Sequence, residues 1–124
     1  MSWTIACNDD EKYITVVNSG RCTAQDVIDQ LEALIKLVKE KAIYDVLVDD
    51  TEMAMTLTAS DIQHLPKMYK VMGVPKQGRV ALIFSEATHR AEDFKFYEKV
   101  AMTAGYTIKL FTDREAAMAW LKGK

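Results

Sequence analysis

The sequence predicts a single α/β domain over residues 1–124, a mixed and mostly parallel five-stranded sheet with an N-terminal hairpin and about four helices. Three observations carry this. After two adjacent β-rich runs, helix-like and strand-like segments alternate in the order ββαβαβαβα, which implies parallel pairing through right-handed crossovers. The runs Tyr44-Asp-Val-Leu-Val48 and Arg79-Val-Ala-Leu-Ile-Phe84 show little alternation, as expected of strands covered on both faces. The chain closes with Tyr106-Thr-Ile-Lys-Leu-Phe111 passing directly into Thr112-Asp-Arg-Glu-Ala-Ala-Met-Ala-Trp-Leu121. There Thr112 and Glu115 have the spacing of a capping box.

Each element follows from local chemistry. Trp3–Cys7 and Tyr13–Val17 are short β-rich runs, and Asn8-Asp-Asp-Glu-Lys12 between them suits a turn. Ser19-Gly20 is expected to end the second strand. Thr23 can cap a helix whose Val27, Leu31, Leu34, Ile35 and Val38 recur at helical spacing up to about Lys41. Asp49-Asp50 is expected to end the next strand, leaving Thr51 to Leu57 as an irregular connection with Met53 and Met55 exposed. Thr58 and Ser60 compete to cap the following helix. Pro66 lacks an N–H and would clash one turn back, so a kink or a new helix is expected there, with Gly73 and Pro75 stopping it. Thr88 is expected to open a helix with Phe94, Tyr97, Val100 and Ala101 on its apolar stripe, ending at Gly105.

The 124 residues are 49% hydrophobic, enough for one core without metal or disulfide staples. A net charge of −2 provides no basic field for a nucleic-acid backbone. Cys7 and Cys22 form no C-x-x-C pair, and the Met-Ser-Trp-Thr start has neither a basic region nor a long apolar run, so a cytoplasmic chain with reduced thiols is expected. The longest apolar runs are of strand length, against roughly 20 residues for a bilayer crossing.

Asp45-Val-Leu-Val-Asp49, Arg79–Phe84, Leu110–Leu121 and Gly20 before the first long helix together resemble the SpoIIAA-like proteins of the STAS and SEC14-like group. The resemblance runs from Trp3 to Leu121 and implies a (βα) superhelical fold. In the anti-sigma factor antagonists of that group, a serine after the strand ending in Asp is phosphorylated to control partner binding. The Asp-Ser-x-Gly signature would fall on Asp50-Thr51-Glu52-Met53, with Thr for Ser and Met for Gly. Met53 cannot supply a glycine's backbone freedom at a helix entrance, so no regulatory phosphorylation is expected at Thr51.

No catalytic constellation is evident. Asp9-Asp10 sits between two adjacent strands, unlike the acidic pair of a receiver domain. His89 with Glu92 and Asp93 offers one helical turn of ligands and no second His or Cys nearby, and His64 has no evident partner. No metal or cofactor is expected. The abundance of Met53, Met55, Met68, Met72 and Met102 with Tyr69, Phe94 and Tyr97 supplies adaptable apolar volume. The sequence therefore points first to a non-enzymatic STAS-like regulatory or protein-interaction module. Its recognition surface would comprise Asp49, Asp50, Thr51, Met53, Met55, Thr58, Ser60, Met68, Tyr69 and Met72, and it would bind a protein partner or itself. The alternative is a small-molecule or lipid-binding domain, with an apolar pocket near residues 51–72.

Overall fold

A computed structural model describes residues 1–87 and 91–123. It contains β1 (Ser2–Asn8), β2 (Tyr13–Cys22), α1 (Ala24–Lys41), β3 (Val46–Met55), α2 (Ala59–Met72), β4 (Val80–Ile83), α3 (Ala91–Thr103), β5 (Ile108–Phe111) and α4 (Arg114–Lys122). The five strands form one sheet in the sequential order β1-β2-β3-β4-β5. β1 and β2 are the antiparallel hairpin, and every later neighbour pairs in parallel. This is the predicted α/β architecture. Thr88 and His89 lie outside the described residues.

Helices α1, α2 and α3 share a face of the sheet with the apolar side chains of β2, β3 and β4, and α4 covers the opposite face. The period-2 pleat sorts β3 accordingly. Val46 and Val48 meet the three-helix side, whereas Leu47 packs with Ala81, Ile83, Ala117 and Leu121 under α4.

The strands run further than expected. β2 does not stop at Ser19-Gly20 but continues to Cys22, because β3 extends alongside it with Gly20 opposite Met53 and Cys22 opposite Met55. Gly20 accommodates this with φ +85°, a value that L side chains rarely adopt. Between Val17↔Asp49 and Ser19↔Glu52 the register shifts, so β3 carries one residue more than β2. That bulge resets the alternation. Met53 and Met55 consequently point into the core, 9% and 7% exposed, instead of lying on an irregular connection.

The structure decides three further points. Thr58, not Ser60, caps α2, its hydroxyl accepting from the Asp61 N–H at 3.1 Å while Asp61 accepts from the Thr58 N–H. α2 continues through Pro66 as one helix, since Ile62, Leu65 and Tyr69 on either side are buried, and that packing outweighs a lost backbone bond. At α4 the cap is Asp113, whose carboxylate accepts from the Ala116 N–H at 3.0 Å, rather than Thr112 with Glu115. An aspartate caps as well as a threonine and adds charge complementary to the helix dipole.

Candidate functional site

A cavity of about 190 Å³ lies on the three-helix side of the sheet. It lies between α1 and the strands beneath it. Of the apolar residues predicted to form the stripe of α1, only Val38 near the C-terminal end is fully buried, packed with Ile14, Ile43 and Val46. Towards the N-terminal end, Val27, Leu31, Leu34 and Ile35 are half-buried and line the cavity. Val46, Val48, Met53, Met55 and Leu82 line it from the strands, with Leu65 and Tyr69 of α2 and Tyr97 of α3.

One small polar cluster breaks this apolar lining. Asn18 occupies the third inward position of β2 after Ile14 and Val16, and Asp50 the third of β3 after Val46 and Val48. Both are buried, at 3% and 5% exposure. Asn18 Nδ2 donates to Asp50 Oδ1 at 2.7 Å, and Gln30 Nε2 of α1 donates to Asn18 Oδ1 at 2.5 Å. Burial raises the Asp50 carboxyl to about 6; the Asn18 bond opposes this and the neighbouring Asp49 charge adds to it.

The other polar lining groups are weak acids pushed higher. Burial, reinforced by the charges of Asp50 and Asp26, takes the Cys22 thiol up to about 12, so it keeps its proton at neutral pH. The Tyr69 and Tyr97 hydroxyls bond each other at 2.7 Å, and Tyr106 meets Tyr69 edge-on with centroids 5.6 Å apart. Burial moves Tyr97 to about 12 and Tyr69 well above its ordinary 10. The lining thus combines apolar walls, one acid that titrates near neutrality and a cluster of protonated phenols.

The residues singled out from sequence separate into distinct places. Asp50, Met53, Met55 and Tyr69 line the cavity, and Met68 packs half-buried against the same core. Asp49 belongs to the α4 side, where Thr51 N and Oγ1 donate to it at 3.1 and 2.7 Å and Arg114 lies 3.7 Å away. The two acids are therefore in mid-strand, on opposite faces of the sheet, and not side by side at a strand end. Thr51 is exposed beside a shallow surface hollow with Glu52, Ser85, Glu86 and Thr112. Thr58 is a cap, Ser60 is exposed and its carbonyl meets His64 Nδ1 at 2.7 Å, and Met72 is half-buried at the end of α2. Among the described residues no group of three His, Cys, Asp or Glu side chains could hold a metal ion.

Sequence reasoning missed Asn18 and Gln30. Asn18 breaks the inward alternation Ile14, Val16, and Gln30 interrupts the stripe between Val27 and Leu34, so each is a polar residue at an apolar position. That was the available signal.

A model of the SpoIIAA-like family matches residues 13–122. Among solved structures, the chain is similar to an uncharacterized protein from the DUF3478 family with a SpoIIAA-like fold from Shewanella loihica PV-4. The TM-score is 0.61 at 22% identity, over 97% of this chain and 92% of that one. No curated protein matches.

Proposed function

The chain belongs to the SpoIIAA-like family, and from its cavity we infer that it is a binding domain for a small, mostly apolar molecule with one polar end. The supporting observation is that Val27, Leu31 and Leu34 of α1 are half-buried and line a cavity in whose wall Asn18, Gln30 and Asp50 gather at one place. A core that only needed filling would close this space, because interiors pack densely. An apolar cavity of roughly 150 Å³ accepts benzene, so about 190 Å³ suits a molecule of about eight to ten non-hydrogen atoms. The lining supplies binding groups: apolar walls, the Asn18, Gln30 and Asp50 cluster and a thiol that keeps its proton.

Native mass spectrometry of the protein purified from its own host tests this reading. The expected result is a retained small molecule that is lost on unfolding and is absent from a Leu31→Trp variant, whose indole would occupy the cavity. A protein that carries no added mass, and is not stabilised by any apolar compound of that size, would refute it.

A STAS-like regulatory or protein-interaction role, self-association included, is the second reading. Val71 on α2 and Met102 on α3 favour it, being 83% and 56% exposed on two helices that pack together. Either role suits a cytoplasmic protein. Both cysteines are free, and no helix among the described residues is long and apolar enough to cross a membrane.

A further inference from the structure

We propose that the cavity selects a ligand carrying a protonated primary amine, with the ammonium held by Asp50 and Gln30 and an apolar body of about eight carbons along α1. This rests on the ligand-binding reading above and assigns its headgroup.

Four observations lead to it. First, among the described residues Asp50 is the only Asp or Glu in the cavity lining, and no lysine, arginine or histidine joins it there. Met1 also lines the cavity, but its ammonium lies 3.5 Å from Asp26. A carboxylate in an apolar enclosure without a counter-ion is costly, and a ligand cation would offset that cost.

Second, only one carboxylate oxygen is engaged. Asn18 bonds Oδ1, and nothing among the described residues donates to Oδ2. Among the described residues no fully buried side-chain oxygen or nitrogen lacks a partner, so Oδ2 is open to the cavity.

Third, the carboxylate dictates which way the two amides point. Asn18 has to present its NH₂ to Asp50, which turns its oxygen towards Gln30, and Gln30 therefore donates its own NH₂ to Asn18. Gln30 Oε1 is left with a single long contact, 3.4 Å from Asn18 Nδ2. Asp50 Oδ2 and Gln30 Oε1 are thus two acceptors on one small patch, suited to the several N–H donors of an ammonium.

Fourth, Tyr69 and Tyr97 also line the cavity, and the π-faces of such rings attract cations and repel anions. Tyr106, which lines it too, already has Lys76 Nζ 5.4 Å from its ring centroid. A carboxylate ligand would meet the like charge of Asp50, and an alcohol would leave that charge uncompensated.

The groups around Asp50 agree with this. On β3 the neighbouring acid is Asp49; Cys22 at the end of β2 and Tyr97 on α3 feel the Asp50 charge and are protonated weak acids, and Asp26 on α1 is paired with the Met1 ammonium. With Asp50 titrating at about 6, the site is anionic at neutral pH and loses its charge in mild acid.

The test is calorimetric titration of the protein, freed of endogenous ligand, with n-octylamine, 1-octanol and octanoate, which share one chain and differ in the head. At pH near 7.5 the amine is expected to bind at least about tenfold tighter than the alcohol, with octanoate the weakest. Octylamine affinity should fall by about tenfold between pH near 7.5 and pH near 5, where Asp50 is about nine-tenths protonated, and the preference over octanol should be lost in Asp50→Asn at the higher pH. The measurement at pH near 5 uses the unmodified chain, so the test does not depend on the variant folding. Octanol binding as tightly as octylamine at pH near 7.5 would overturn the amine assignment and leave the apolar-cavity reading intact. Binding of none of the three would overturn both.

Discussion

The clearest quantitative consequence of the cavity concerns Asp50 in the ligand-free protein. Its carboxyl is raised from 3.8 to about 6, chiefly by burial. A folded acid that holds its proton more tightly than the unfolded chain favours folding when protonated. Its contribution is fully present below 3.8 and is lost as the pH rises through 3.8 to about 6. That interval corresponds to about 3 kcal/mol. The substitution Asp50→Asn keeps the shape and removes the charge, and Asn18 and Gln30 can both flip to preserve their chain of bonds. Urea unfolding of both proteins between pH 4 and 7.5 should therefore give equal stabilities at the acid end. Above pH 7 the variant should be about 2–3 kcal/mol more stable, or about 6–12 °C in Tm for a chain of this size. Asp26 and Asp61 act in the opposite sense, their carboxyls held low first by bonds from the Thr23 and Thr58 backbone N–H groups and then by those threonine hydroxyls. Both are present in both proteins, so their effect cancels in the difference. Parallel pH curves for the two proteins, or a variant less stable above pH 7, would refute the placement of Asp50 in an apolar, unpaired environment.

Two other outcomes follow from local geometry. Asp113→Ala should cost about 1 kcal/mol in thermal unfolding, whereas Thr112→Ala stays within about 0.5 kcal/mol, because the α4 cap is the aspartate. Equal losses from the two would restore Thr112 as the cap. Gly78→Ala should lose at least about 2 kcal/mol by chemical denaturation, since Gly78 sits at φ +80° and an added Cβ would lie 2.4 Å from the Tyr44 carbonyl oxygen; an unchanged midpoint would contradict that approach.

The elements easiest to read were those set by neighbours in sequence. The cap at Thr23, the stop at Gly73, the turn at residues 8–12 and the order of β3, β4 and β5 all follow from residues within a few positions of each other. The errors share a different cause. The extension of β2 and β3, and with it the burial of Met53 and Met55, depends on a bulge between strands some thirty residues apart in sequence. Nothing local announces such a pairing. The candidate site was half legible on the same grounds: Asp50, Met53, Met55 and Tyr69 were named as recognition residues, but as parts of an exposed loop and helix surface.

By itself, then, the sequence determined the fold class, the order of elements and the apolar stripe of α1, because propensity, capping and periodicity act over one or two turns. Tertiary structure alone decided what that stripe faces. Asn18, Gln30 and Asp50 lie on three elements and meet only when β2, α1 and β3 are assembled, and the bulge in β3 brings Met53 and Met55 into the lining beyond Asp50. A charge three residues from an exposed loop and a charge enclosed in an apolar cavity look the same in the chain. They differ in solvation, and solvation is set by whatever packs around the group.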